Sequence, residues 1–144
     1  MSSASMLYET DFYAWANREA ALLRAGDFLE ADVENIAEEI EGMAKTERRE
    51  LMSRLEVLLV HLLKWQYQPA FRGRSWEFAM KEQRKRLELH LSENPSLKNE
   101  LDKAIADAYG LAIIRAEKET ELKSFPEVCP YGFDEIMDDD FWPG

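Results

Sequence analysis

The sequence predicts an all-α protein, a helical bundle of four to five main helices with a long central apolar helix and a C-terminal strap. Apolar residues recur three and four positions apart over long segments, which is the spacing of one helical face, and no segment has the alternating pattern of a strand. Helix-favouring residues are plentiful, whereas the chain contains only 6 glycines and 5 prolines. With 144 residues, it is predicted to form one domain over residues 1–144.

Capping residues define the first predicted helix. Residues 1–10 are predicted to form an N-terminal arm. Thr10 and Asp11 are of the types preferred at a helix N-cap, and Gly26 is of the type most often found just past a helix end. We therefore predict a helix over about residues 11–24.

A second apolar pattern begins near Asp32 and ends before Pro69. Gly42 and Thr46 fall in its middle, so one long bent helix and two helices in series both satisfy it. Residues 55–63 are apolar almost all round. A helix that is apolar on every side is either central in a bundle or covered by a second subunit, and both alternatives stay open here.

The rest of the chain predicts two more helices and a tail. Residues 67–74 are predicted as a loop, and Ser75 as the N-cap of the next helix. The pair Asn94-Pro95 is typical of a helix start and predicts a last long helix to about Leu122. Residues 123–144 are predicted to be mostly extended and to pack on the bundle as the strap.

The charge and cysteine content exclude several classes of function. With 29 acidic and 18 basic residues, the net charge of −11 makes general nucleic-acid binding unfavourable. The single Cys129 excludes an internal disulfide and is typical of a reducing cytosol. The apolar run Val57–Leu63 is far shorter than the roughly 20 residues of a membrane span, and we find no signal-peptide pattern. We expect a cytoplasmic protein with no membrane partner.

Several short motifs, read in order, carry a family resemblance. They are Tyr8-Glu-x-Asp-Phe-x-x-Trp15, Ile36-Ala-Glu-Glu-Ile40, Ser53-Arg-Leu55, His61-Leu-Leu-Lys-Trp65, Ser75-Trp76, Arg84 to Arg86, Phe125-Pro-x-x-Cys-Pro-Tyr131 and Asp140-Phe-Trp-Pro143. In these motifs the chain resembles the bacterial family called domain of unknown function 29, over nearly its whole length. The resemblance implies a small all-helical bacterial protein, and it implies no chemistry.

The residue types available for metal and acid–base chemistry are few. The chain has two histidines, and the Glu-x-x-His pattern of di-iron bundles is absent because Leu58 and Leu87 stand three residues before His61 and His90. Cys/His zinc ligands are lacking as well. We therefore predict no cofactor, no metal and no catalytic residue. A mixed Glu/His site that uses neighbouring carboxylates stays open, the carboxylates being those of Glu38, Glu39 and Glu41.

One group of residues suggests a small-ligand pocket. A hydrogen bond between His61 and Glu39 would orient the imidazole and raise its pKa, although we favour a purely structural histidine. Arginine recognises carboxylate or phosphate and tryptophan supplies an apolar wall, so the loop after His61 would suit an anionic or aromatic ligand. The alternative is an ordinary helix corner. The candidate ligand-binding residues are Glu39, His61, Trp65, Arg72, Arg74 and Trp76.

Charge is segregated into two blocks. Residues 27–44 carry seven acids and no base, and residues 72–86 carry six bases and two acids. These blocks are predicted to pair within the molecule or between subunits. Together with the all-round apolar helix and an aromatic C-terminus, they predict a non-enzymatic protein that acts through self-association or a protein partner. The alternative function is a ligand-binding or enzymatic pocket around His61.

Overall fold

A computed structural model describes residues 3–144, with side chains from Met6 onward, and every regular element in that range is helical. This confirms the all-α prediction. Two short 3-10 turns accompany the six α-helices of the described residues. The helices are α1 (Ser3–Thr10), α2 (Phe12–Ala25), α3 (Val33–Tyr67), α4 (Arg74–Glu93), α5 (Leu101–Thr120) and α6 (Phe133–Met137), and the turns are Pro69–Phe71 and Pro95–Glu100.

The chain divides into two compact units, which we call unit 1 (Met1–Thr46) and unit 2 (Glu47–Gly144). The boundary falls inside α3, so that one helix contributes its first part to unit 1 and the rest to unit 2. The single domain expected from the length stays a prediction.

In unit 1, the predicted arm is helical from Ser3 onward, while residues 1 and 2 lie outside the described part of the chain. Asp11 caps α2 as predicted: its side chain accepts a hydrogen bond from the Ala14 N–H at 3.1 Å. Gly26 ends this helix with φ of 73°, a left-handed conformation that glycine adopts without strain.

Helix α3 runs unbroken for 35 residues, which decides between the two alternatives for this pattern in favour of one helix. The Thr46 hydroxyl donates to the Gly42 carbonyl at 3.0 Å, so that its polar group is satisfied within the helix. The helix ends at Tyr67, just before the proline-led 3-10 turn.

The core of unit 2 surrounds the apolar part of α3. Leu58, Leu59, Val60, Leu62 and Leu63 are all 0% exposed. Side chains of α4, α5 and α6 cover this helix on its different sides, so unit 2 itself encloses the all-round apolar segment. These covering residues include Met80, Leu87, Ala104, Ala108, Ala112 and Ile136.

Two predicted helix starts are wrong. Helix α4 begins at Arg74 after Gly73, whose extended backbone forms the N-cap, and not after Ser75. Asn94 leads into the 3-10 turn Pro95–Glu100, and α5 begins only at Leu101. Proline suits the first position of either kind of helix, so the sequence pattern did not distinguish them.

The C-terminal segment predicted as a strap, residues 123–144, packs on unit 2. The buried Arg84 side chain holds it by donating to the main-chain carbonyls of Ile136 at 2.8 Å and Phe141 at 2.9 Å. Two tyrosine hydroxyls add further ties, from Tyr109 to the Pro126 carbonyl and from Tyr131 to the Gln66 side chain, both at 2.6 Å.

Candidate functional site

Unit 1 leaves most of its large apolar side chains in solvent. Among its described side chains, Trp15 is the one hydrophobic residue that is buried. Nine large apolar or aromatic residues are exposed, and Leu29 is 100% exposed. Exposed large apolar groups are candidates for contacts with another molecule. We call them the unit 1 surface, which consists of Met6, Phe12, Tyr13, Leu23, Phe28, Leu29, Val33, Ile40 and Met43.

A polar network holds unit 1 together around Trp15. The indole N–H donates to the Asp32 carboxylate at 3.0 Å, and the Asp32 main-chain N–H donates to the buried Glu19 at 2.6 Å. Tyr8 packs on the Trp15 ring at 4.6 Å between centroids, and its hydroxyl donates to Glu39. This bond to a carboxylate raises the pKa of Tyr8 to about 12. The unit is therefore ordered largely by hydrogen bonds and aromatic contacts.

The start of α3 presents the most regular part of the unit 1 surface. Val33, Ile40 and Met43 are exposed and Ile36 is half-buried, at the three-and-four spacing of a helical seam. At 100° per residue, the neighbouring exposed carboxylates project away from this seam. They belong to Glu34, Glu38 and Glu41.

Helix α4 carries an exposed groove of the opposite charge. Phe78 and Leu89 are 52% and 50% exposed, and they are the first and last residues along the chain that line the groove. Between them lie three basic residues and one acidic residue, around an open volume of about 500 Å³. We call this the α4 groove, which is lined by Phe78, Lys81, Glu82, Lys85, Arg86 and Leu89.

Glu39 and His61 each have a hydrogen-bond partner other than the one that the pocket hypothesis considered. The Glu39 carboxylate accepts from Tyr8, and the His61 Nδ1 atom pairs with the Val57 carbonyl at 2.7 Å. Both residues lie on the continuous α3, where only side chains three or four positions apart meet. Burial lowers the pKa of His61, whereas the hydrogen bond to Glu39 considered for the pocket would raise it.

Trp65 and Arg72, two of the predicted pocket residues, contact the strap. Arg72 donates to the Trp65 carbonyl at 2.6 Å and to the Pro143 carbonyl at 3.3 Å, and its guanidinium lies 5.2 Å from the Trp65 ring centroid. Trp65 packs on Trp142 at 4.9 Å between centroids. The guanidinium of Arg72, which suggested an anion site, therefore donates to main-chain carbonyls instead.

The other two pocket residues make separate cation–π pairs. The Lys64 ammonium lies 5.4 Å from the Trp76 ring and also pairs with Glu119 at 2.9 Å, while Arg74 lies 5.2 Å from the Phe78 ring. These contacts are typical of a helix corner. The small-ligand pocket stays a prediction.

Sequence reasoning missed one titratable cluster in unit 2. Donor atoms of Glu47, Glu50 and His90 lie within 4.8 Å of one another, so these three residues could hold a metal ion. The sequence left a mixed Glu/His site open at Glu38, Glu39 and Glu41 instead. The available signal was that Glu47 and Glu50 share one face of α3 and that His90 lies three residues after the buried Leu87 on α4.

Comparisons with known proteins give one match. The family model described as Domain of unknown function DUF29 matches residues 7–142, which confirms the resemblance carried by the sequence motifs. No curated protein and no solved structure matches the chain. Among the described helices, none combines the length and the apolar character that crossing a membrane requires.

Proposed function

The chain belongs to the DUF29 family, and we propose that it is a non-enzymatic interaction protein that self-associates. In this proposal, the unit 1 surface of one copy binds the α4 groove of a second copy. The observation that carries the proposal is the exposure of nine large apolar side chains in unit 1, whose described side chains include one buried hydrophobic residue. Small units that cannot bury their apolar residues alone are commonly completed by association.

Charge complementarity favours a second copy as the partner. Unit 1 has ten acidic and three basic residues, so two copies of the unit 1 surface repel each other. The α4 groove has an excess of basic residues and offers apolar contacts at Phe78 and Leu89. Residues 27–44 complement the α4 groove, because they carry seven acids and no base and also contain exposed apolar side chains. Opposed charges of this kind set the partner and the register of a contact.

A reciprocal dimer would cover the unit 1 surface and the α4 groove of both copies. In a twofold dimer, each copy contributes one unit 1 surface and one α4 groove, so the contact forms twice and leaves neither surface free. If these surfaces bind an unrelated protein instead of a second copy, the isolated chain is expected to be monomeric.

A charge-swap experiment tests this proposal. The variant Lys81→Glu/Lys85→Glu makes the groove acidic, and Asp27→Lys/Glu30→Lys places positive charge beside Phe28 and Leu29 of the unit 1 surface. Each variant alone is expected to be monomeric in sedimentation velocity because like charges then face each other. An equimolar mixture of the two is expected to form a heterodimer, since each altered surface then meets a complementary one.

The matched control carries the same change of charge elsewhere. Lys103→Glu/Lys118→Glu alters exposed residues of α5, outside both surfaces, and is expected to dimerise like the unaltered chain. Added salt is expected to weaken the dimer because exposed charges are screened. A monomeric unaltered chain at high micromolar concentration would overturn the proposal. So would charge-swapped variants that dimerise normally.

We further propose that the protein acts in the bacterial cytoplasm. Its single cysteine, Cys129, is a free thiol that is half-buried, and such an unpaired thiol is typical of reducing compartments. Fractionation of cells that express a tagged full chain tests this, and recovery from the periplasm or medium would contradict it.

A further inference from the structure

A polar cleft between α3 and α4 lies entirely in unit 2. It has a volume of about 270 Å³ and is lined by carboxylates, arginines and one histidine. The donor atoms of Glu47, Glu50 and His90 converge there within 4.8 Å of one another. Glu47 and Glu50 are half-exposed, so their side chains can adjust, whereas His90 is only 6% exposed.

The buried His90 brings its Nδ1 atom close to a carboxylate in this cleft. Its Nε2 atom lies 2.9 Å from the Glu47 main-chain carbonyl, and since a carbonyl only accepts hydrogen bonds, Nε2 carries the proton. The Nδ1 atom lies 3.4 Å from Glu50 Oε2, and within the described part of the chain it makes no hydrogen bond. An imidazole nitrogen and a carboxylate oxygen at this separation are close enough to bind the same cation.

Each of the three side chains is oriented by a hydrogen bond. Metal-bound histidines typically donate their second N–H to a main-chain carbonyl, as His90 does. Arg54 donates twice to Glu50 Oε1, at 3.1 and 2.9 Å, which leaves Oε2 free. Asn94 donates to Glu47 Oε2 at 3.5 Å, which leaves Oε1 free.

We propose that Glu47, Glu50 and His90 form a binding site for one divalent transition-metal ion, with Zn²⁺ as the representative. Imidazole nitrogen together with carboxylate oxygen suits zinc, whereas Mg²⁺ and Ca²⁺ prefer oxygen ligands alone. Two carboxylates balance the charge of the ion. Three protein ligands leave a coordination position for water or a further ligand.

Zinc titration of the metal-free full chain tests the site. Calorimetry is expected to give one Zn²⁺ per chain, with little heat from Mg²⁺. NMR of the two imidazoles is expected to show that Zn²⁺ shifts the His90 signals and leaves those of His61 unchanged, because His61 does not line the cleft. The isosteric Glu50→Gln variant is expected to weaken Zn²⁺ binding at least tenfold, since a neutral amide is a poor zinc ligand.

Two variants separate loss of a ligand from loss of the fold. Glu50→Gln keeps an oxygen acceptor for Arg54 at a half-exposed position, so its circular dichroism is expected to match that of the unaltered chain. Glu88→Gln changes an exposed carboxylate of α4 outside the cleft and is expected to keep full Zn²⁺ affinity. The proposal is overturned if the unaltered chain binds no stoichiometric Zn²⁺. Equal affinity of folded Glu50→Gln and Glu88→Gln would also overturn it.

Discussion

Unit 1 and unit 2 differ most in where their apolar side chains lie. Unit 2 contains all but one of the buried hydrophobic residues among the described side chains, and unit 1 contains Trp15 alone. Of the large apolar residues that are exposed, nine belong to the smaller unit. Unit 2 therefore has the core expected of a stable domain, whereas unit 1 displays the apolar surface expected of a binding region.

Helix α3 shows the same contrast between exposed and covered apolar residues within a single helix. Its first part carries the exposed Val33, Ile40 and Met43, and its later part is enclosed in the unit 2 core. Both parts have the same three-and-four apolar spacing. The spacing therefore predicts that a helix forms and which face is apolar, but the surrounding chain decides whether that face is covered.

The largest expected effect is at the centre of unit 2. Leu59→Ala removes a side chain that is 0% exposed. We expect the free energy of unfolding to fall by about 2–5 kcal/mol, because transfer and cavity costs add. Urea unfolding measures this change. A loss below about 1 kcal/mol would mean that this core is loosely packed, and the contrast between the two units would weaken.

Arg84→Met tests how the strap is held. Arg84 is 2% exposed, and its two hydrogen bonds reach the carbonyls of Ile136 and Phe141. We expect a destabilisation of about 1.5–3 kcal/mol, the range for hydrogen bonds from a charged donor. Faster amide exchange in residues 133–141 is the accompanying signature. Unchanged exchange there would show that aromatic contacts such as Trp65–Trp142 hold the strap by themselves.

The change of the free energy of unfolding with pH is expected to be smaller than the effects of these two substitutions. Burial holds the pKa of His61 below its ordinary value of 6.5, so the native state binds fewer protons than the unfolded state in this range. The free energy of unfolding is therefore expected to fall as the pH drops below about 6.5. The paired carboxyls of Glu50 and Glu119, whose pKa values are lowered, contribute their losses only in more acidic solution.

Replacement of His61 isolates its share of this dependence. His61→Gln keeps a donor for the Val57 carbonyl but does not titrate. Urea unfolding at about pH 7.5 and about pH 5.5 is expected to give a smaller difference for the variant than for the unaltered chain. Equal differences would assign the dependence to another group.

The sequence was sufficient to predict most of the helices but not all of their boundaries. The Asp11 and Gly26 caps were predictable because both act within a few residues. Asn94-Pro95 misled because proline suits the start of an α-helix and of a 3-10 turn equally well. Whether the pattern on either side of Gly42 was one helix or two depends on tertiary packing, which a residue pattern does not contain.

Functional groupings were harder to predict because they depend on contacts far apart in sequence. The spacing of Trp65 and Arg72 suggested a pocket, yet their partners are Trp142 and Pro143, which lie 77 and 71 residues further along the chain. Likewise, His90 meets Glu47 and Glu50 only because α3 and α4 pack together. Charge segregation, in contrast, is a property of local composition and could be read directly.

The smallest expected effect on stability is at Leu29, in unit 1. Because this side chain is 100% exposed, Leu29→Ser is expected to change the free energy of unfolding by less than about 0.5 kcal/mol. The same change is expected to weaken self-association, since the apolar contact with the α4 groove of a second copy is lost. Urea unfolding of dilute monomer and sedimentation at high concentration measure the two quantities separately. A variant that dimerises fully would remove Leu29 from the interface, and one that is strongly destabilised would show that unit 1 buries this residue in its own fold.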